Sequence, residues 1–112
     1  PRAVDWAHAN AQRAGVRARL DLRTAALADL EVQAASDRVA LVANPPYGKR
    51  LREADLAGLY ARLGELYRSL PAGAGLGILA PREDLLGALG VDHDRKTLPH
   101  GGSRVFLAVR AL

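Results

Sequence analysis

Four consecutive residues, Asn44-Pro45-Pro46-Tyr47, bring together groups able to hold a flat, amino-bearing ring. A residue that precedes proline is pushed toward extended backbone, and both Asn44 and Pro45 stand in that position. The two prolines have fixed φ and no N–H. The segment is therefore stiff, and its carbonyls have few local partners. The Asn44 side-chain oxygen and the Pro45 carbonyl can both accept hydrogen bonds from one planar –NH2 group. Tyr47 offers an aromatic face on which a base can stack, worth about 1–3 kcal/mol. Gly48 lets the chain turn sharply afterwards. The chemistry this permits is capture of an exocyclic nitrogen with its lone pair held in one direction. A rigid loop without function is the competing reading of any proline pair. Position favours chemistry: the motif directly follows an apolar run, and in open parallel sheets ligands bind at the carboxyl ends of strands.

The elements that must position the motif are legible around it. Val39-Ala40-Leu41-Val42-Ala43, within Arg38 to Ala43, is a short continuous apolar run, which predicts a strand buried on both faces. Downstream, Leu56, Leu59, Tyr60, Leu63, Leu66, Tyr67 and Leu70 form one apolar stripe, so Asp55 to Leu70 is read as a helix. Pro71 and Gly73 end it. Leu76 to Ala80 is a second apolar strand. Pro81 to Gly90 is a short helix with Leu85, Leu86 and Leu89 turned inward. Arg95–Leu98 and Arg104–Val109 are strands joined by His100-Gly101-Gly102-Ser103, a hairpin signal. Upstream, Pro1 to Ala14 is a helix, with proline at the first position and Gly15 as its stop. Val16, Ala18, Leu20 and Leu22 alternate with polar residues, which predicts a half-buried strand. Thr24 to Asp37 connects, with a helical turn at Ala25–Leu30. Strands alternating with helices predict an α/β fold with a mainly parallel sheet and an antiparallel C-terminal hairpin.

Composition sets outer limits. The chain has 112 residues, 49% hydrophobic and 25% charged, a globular balance that argues against disorder, collagen or coiled coil. No run of about 18 apolar residues is present, so no membrane-spanning helix is expected. There is no cysteine, which excludes disulfides, thiolate metal sites and a cysteine nucleophile and suits a reducing, cytoplasmic setting. Sixteen Lys and Arg against twelve Asp and Glu give a formal charge of +4, which permits a polyanionic partner such as RNA. Arg-rich, Lys-poor usage has a second source in base composition of the gene. Pro1 is read as a cut inside a longer gene.

Asn-Pro-Pro-Tyr after the fourth strand resembles the signature of methyltransferases that use S-adenosylmethionine to methylate exocyclic or amide nitrogens. The longer run Val42-Ala43-Asn44-Pro45-Pro46-Tyr47-Gly48-Lys49-Arg50-Leu51 resembles a narrower group, the RNA guanine-N2 methyltransferases that often carry a THUMP domain, including bacterial 23S rRNA enzymes. The flanks extend the likeness. Ala3-Val4 through Ala9-Asn10-Ala11 and Ala14-Gly15-Val16 are similar to the helix after strand two. Leu59-Tyr60 and Leu63-Gly64 are similar to the helix after the motif, and Asp94-Arg95-Lys96 and Gly101-Gly102 to residues near the family's C-terminus.

The resemblance implies a partial Rossmann-like class I methyltransferase fold, residues 1–112 being the C-terminal portion of a catalytic domain. In the family's strand order 3-2-1-4-5-7-6, the chain supplies strands 3 to 7. Strands 1 and 2, with the glycine-rich cofactor loop and the ribose-binding acid, lie upstream of Pro1. The implied site is Asn44, Pro45, Pro46 and Tyr47 as catalytic residues, with Asn44 also facing the cofactor S-adenosylmethionine. Ala26 and Leu27 are expected at its adenine pocket, although Ala26 stands where the family usually has an aspartate. Lys49, Arg50 and Arg52 are candidates for RNA phosphates, with a solvated basic loop as the equal alternative. The implied partner is RNA, rRNA first, with no membrane and no metal. Adenine N6 or a protein glutamine is the alternative acceptor, and a non-catalytic RNA- or partner-binding remnant the alternative class. With strand 1 absent, the strand before the motif is expected to expose an edge that pairs with another chain, and the isolated chain is expected not to methylate.

Several further features are set aside. Gly73-Ala74-Gly75-Leu76-Gly77 imitates a nucleotide loop but follows a helix and opens a strand, the reverse of what phosphate binding needs. His8, His93 and His100 lack ligand spacing. Trp6 is expected to pack, Asp29 to be a solvated turn residue, and Asp92, Asp94 and Arg95 to form a polar turn.

Overall fold

The computed structural model describes residues 2–33, 36–45 and 52–112, which fall into two compact units, Pro1–Leu30 and Glu31–Leu112. In the first, helix α1 spans Arg2–Ala14. It ends on Gly15, whose φ of 74° is the left-handed geometry that glycine adopts without a Cβ penalty. A 3-10 turn at Arg17–Arg19 and another at Leu27–Asp29 follow.

The strand expected over Val16–Leu22 does not form. Its backbone bonds locally instead, Arg19 N–H to the Val16 carbonyl at 2.9 Å and Leu20 N–H to the Arg17 carbonyl at 3.3 Å. Val16 is 38% and Leu20 43% exposed. Alternation alone does not make a strand when no neighbour takes up its ladder. Trp6, expected to pack, is 62% exposed.

The second unit holds a four-stranded sheet. Its elements are β1 (Ala40–Ala43), α2 (Glu53–Arg68), β2 (Gly75–Ala80), α3 (Glu83–Gly87), β3 (Asp94–His100) and β4 (Ser103–Arg110). The spatial order is β1-β2-β4-β3. β1 runs parallel to β2, with Leu41 opposite Leu76 and Ala43 opposite Ile78. β4 is antiparallel to β2 and to β3. The sheet is therefore mixed rather than mainly parallel. Without a strand over Val16–Leu22, the β1–β2 pair is its parallel part. Gly101 and Gly102 have φ of 51° and 82°, and the two-residue turn that joins β3 to β4 needs positive φ at both positions. Asp94 and Arg95, read as a turn, open β3.

The core lies on one face of this sheet. Leu76, Ile78 and Ala80 of β2 and Ala108 of β4 are buried, as are Leu56, Tyr60, Leu63, Leu66 and Tyr67 of α2 and Leu85, Leu86 and Leu89 at α3. Fully burying one such side chain is worth about 1.5–3 kcal/mol, so the stripe of α2 is its main anchor. The helix stripes match the sequence expectation. β1 does not: instead of being buried on both faces it alternates exposed and half-buried, and Val42 is 77% exposed. Its place at the sheet edge is the reason, since among the described residues it pairs with β2 alone.

Candidate functional site

The end of β1 sets the site. Gly75 N–H donates to the Val39 carbonyl at 2.9 Å, and the β1–β2 ladder carries the chain to Ala43. Asn44 and Pro45 come next, at the carboxyl end of the strand. Asn44 is exposed and Pro45 is buried. One residue is thus anchored in the fold while its carboxamide neighbour is open to solvent. Pro46, Tyr47, Gly48, Lys49, Arg50 and Leu51 lie outside the described residues. Description resumes at Arg52, the exposed N-cap of α2, whose carbonyl accepts from Leu56 N–H at 2.9 Å.

Two phenols fix what stands behind this edge. Tyr60 Oη donates to the Leu79 carbonyl at 2.8 Å, and Tyr67 Oη to the Ala74 carbonyl at 2.5 Å. One bond lies near each end of β2, so α2 is pinned along the strand that neighbours β1. Sequence reading counted both tyrosines as part of an apolar stripe and missed these bonds. The signal available was that a buried tyrosine hydroxyl usually finds a partner.

Ala26 and Leu27 belong to the first unit. Ala26 is exposed and extended, at φ −73° and ψ 137°, and caps the 3-10 turn that Leu27 begins. Their carbonyls accept from Asp29 and Leu30 N–H at 3.1 and 3.2 Å. Asp29 is exposed, as a turn residue should be.

An open cavity of about 540 Å³ is lined by Asp92, His93, Asp94, Arg110 and Ala111. It lies at the end of the sheet opposite Asn44, where β3 starts and β4 finishes. His93 Nδ1 lies 2.8 Å from the Val91 carbonyl, and Arg95 Nε donates to His93 Nε2 at 3.0 Å. The ring therefore carries its proton on Nδ1 and serves to hold Arg95. Among the described residues no group of three His, Asp or Glu is placed to hold a metal ion, and no helix is long and apolar enough to cross a membrane.

Solved structures share this arrangement over nearly the whole chain. SMU.472, whose crystal structure is complexed with SAH, aligns with a TM-score of 0.81 and 28% identity over 98% of this chain and 29% of its own. A predicted N6-adenine-specific DNA methylase from Listeria monocytogenes aligns at 0.70 and 27% identity, over 95% of this chain and 27% of its own. The fold is part of a class I methyltransferase domain. The chain belongs to the UPF0020 family, the RMKL-like methyltransferase domain, whose pattern matches residues 1–98. Among curated relatives, ribosomal RNA large subunit methyltransferase K/L of Chromohalobacter salexigens is 40% identical over 87 residues, and that of Shewanella amazonensis 34% identical over 103. The matches cover 76% and 91% of this chain but 12% and 14% of the relatives.

Proposed function

We propose that the protein transfers a methyl group from S-adenosylmethionine to the exocyclic N2 of a guanine in ribosomal RNA, in the cytoplasm, and that residues 1–112 are the C-terminal portion of its catalytic domain. The observation that carries this reading is the exposed Asn44 carboxamide, held at the carboxyl end of β1 beside the buried Pro45. Ribosomal RNA as substrate is supported by the curated relatives, and the cofactor by the SAH in the SMU.472 structure.

Asn44 and the turn at Ala26–Leu27, each taken within its own unit, differ in what they offer such a group. Asn44 offers an open amide next to where a methyl donor and an amino group must meet. The turn at Ala26–Leu27 has no acceptor side chain for an adenine amino group. It offers the half-buried apolar side chain of Leu27 as a surface for the ring. When bound, S-adenosylmethionine supplies an electrophilic methyl on a sulfonium.

The chain's own part is orientation. The Asn44 oxygen and the Pro45 carbonyl hold the guanine amino group by its two hydrogens and leave its lone pair aimed one way. Transfer would then be a direct in-line displacement without a covalent enzyme intermediate: the N–CH3 bond would form as the S–CH3 bond breaks, S-adenosylhomocysteine would leave, and one amino proton would pass to solvent. Positioning of this kind can supply about 7–11 kcal/mol of a barrier. Pro46 keeps the segment stiff, and Tyr47 stacks on the base, offsetting the few kcal/mol that flipping it out costs. Lys49, Arg50 and Arg52 hold neighbouring phosphates. The open edge of β1 pairs with a second strand, from the rest of the enzyme or from another copy of the chain.

A second reading has an observation behind it. The Listeria structure is that of a predicted N6-adenine-specific DNA methylase, and an adenine amino group fits the same pair of acceptors. One experiment separates them. The natural-length protein is incubated with large-subunit rRNA and tritiated S-adenosylmethionine, and the RNA is digested to nucleosides. Label in N2-methylguanosine is expected, and label in N6-methyladenosine would transfer the mechanism to adenine. Asn44→Ala should lose about 100-fold or more in kcat, the scale for one preorganised polar contact at a reacting centre. Undiminished turnover in that variant would remove the role given to Asn44.

A further inference from the structure

We infer that the tip of the β3–β4 hairpin, His100 to Arg104, is a second RNA-contact element that binds backbone phosphate beside the target nucleotide. The inference rests on the rRNA reading above and adds a surface to it. Sheet direction comes first. β3 is antiparallel to β4, β4 is antiparallel to β2, and β2 is parallel to β1. β3 therefore runs the same way as β1, and its tip points to the same end of the sheet as Asn44. The last β2–β4 pair is Ala80 with Phe106, and β4 begins three residues earlier, at Ser103. The tip thus stands about 10 Å beyond the end of β2, at about 3.3 Å per residue. Sideways it lies two to three strand spacings from β1, roughly 10–15 Å. Nucleotides flanking a base held at Asn44 pass through that range.

Chemistry comes second. The hairpin from Asp94 to Arg110 carries Arg95, Lys96, Arg104 and Arg110 against the single acid Asp94. Arg95 is engaged by His93 and Glu83. Among the described residues, Arg104 and His100 have no ion pair and no side-chain hydrogen bond, and both are exposed. A cation left unpaired at the rim fits a phosphate, and a guanidinium can grip one with two parallel hydrogen bonds. Ser103 adds a hydroxyl. A Cβ added at Gly101 or Gly102 would meet nothing within 4 Å, so the turn is open to a polymer laid across it. Rigidity comes from the ladder, which pairs residues down to His100 with Ser103.

The test measures binding of a fluorescein-labelled large-subunit rRNA fragment to the natural-length protein by anisotropy, over a salt series. Three proteins are compared: wild type, His100→Ala/Arg104→Glu, and Arg110→Glu. Arg110 sits at the far end of β4 and controls for charge reversal in general. The rim variant is expected to bind roughly five- to tenfold more weakly, the scale of one net hydrogen bond at a solvated surface, with its salt slope reduced by about one. Arg110→Glu is expected to stay within about twofold of wild type. Unchanged affinity in the rim variant, or equal losses in both variants, overturns the inference. Methyl transfer in the same samples keeps the two readings apart. Hairpin-dependent RNA binding without methylation fails the enzymatic reading alone. Methylation with an unchanged KM in the rim variant fails the hairpin alone.

Discussion

The hydroxyl of Tyr60 reaches across from α2 to the carbonyl of Leu79 at 2.8 Å. Tyr60 is wholly buried, so the bond forms away from competing water and links the helix after the Asn44 segment to the strand beside it. Tyr60→Phe keeps the ring and removes the donor. The expected loss is about 0.5–1.5 kcal/mol, read as a lower urea midpoint with an unchanged m-value. An unchanged midpoint would show that the bond contributes nothing to holding α2 on the sheet.

Gly64 faces the backbone of Leu89. A Cβ at that position would lie 1.8 Å from the Leu89 carbonyl oxygen and 2.7 Å from its carbon. Two effects oppose each other in Gly64→Ala. Helix propensity favours alanine by about 1 kcal/mol. Overpacking against backbone costs typically about 1–3 kcal/mol or more, and at this distance α2 or the α3 exit must shift. The overlap wins, and the variant should melt below wild type in thermal denaturation. A higher melting temperature would mean that the two segments are less closely packed than described.

Arg82 grips Asp84 through two hydrogen bonds, Nε to Oδ1 at 3.0 Å and Nη2 to Oδ2 at 3.3 Å. That grip is the main reason the Asp84 carboxyl titrates below the ordinary aspartate value, helped by backbone N–H groups in the first turn of α3. A carboxyl lowered in the folded state stabilises the fold above its unfolded pKa, and the contribution fades as pH falls through the folded one. Because the pair is exposed, the contribution is small. Side-chain carbonyl NMR of Arg82→Ala should show the Asp84 midpoint move up. A midpoint that stays put would assign the shift to the helix turn instead.

Val42 is 77% exposed on an edge strand, Ala40–Ala43, that carries no charge and no proline. Natural edges are usually blunted by such residues. Sedimentation of the 112-residue chain should show concentration-dependent association, and Val42→Lys should reduce it. Equal sedimentation of both, at matched concentration, would show that the edge does not pair.

Legibility in the sequence followed the physical strength of each signal. The stripe Leu56 to Leu70 is long and strongly periodic; its residues through Tyr67 fall in α2, where all but the half-buried Leu59 are buried. The Gly101-Gly102 turn was readable because left-handed φ at two successive positions leaves few residue choices. Val16–Leu22 misled, since alternation records a tendency to bury one side and says nothing of a neighbouring strand to bond with. Val39–Ala43 was read as doubly buried because an apolar run carries no mark of whether its strand is central or at an edge. At the candidate site, Asn44 and Pro45 stand where the motif's position after β1 put them. The ties of Tyr60 and Tyr67 to β2 were hidden, because hydrogen bonds between distant segments leave no periodic trace.

Because β4 returns antiparallel between β2 and β3, the residues that follow it lie at the end of the sheet far from Asn44. Leu112 is 64% exposed and lies beside Gly75, where β2 begins. A dye, affinity tag or surface anchor attached there would present the opposite rim outward, giving single-molecule or biosensor work an immobilisation point that leaves the nucleobase side accessible.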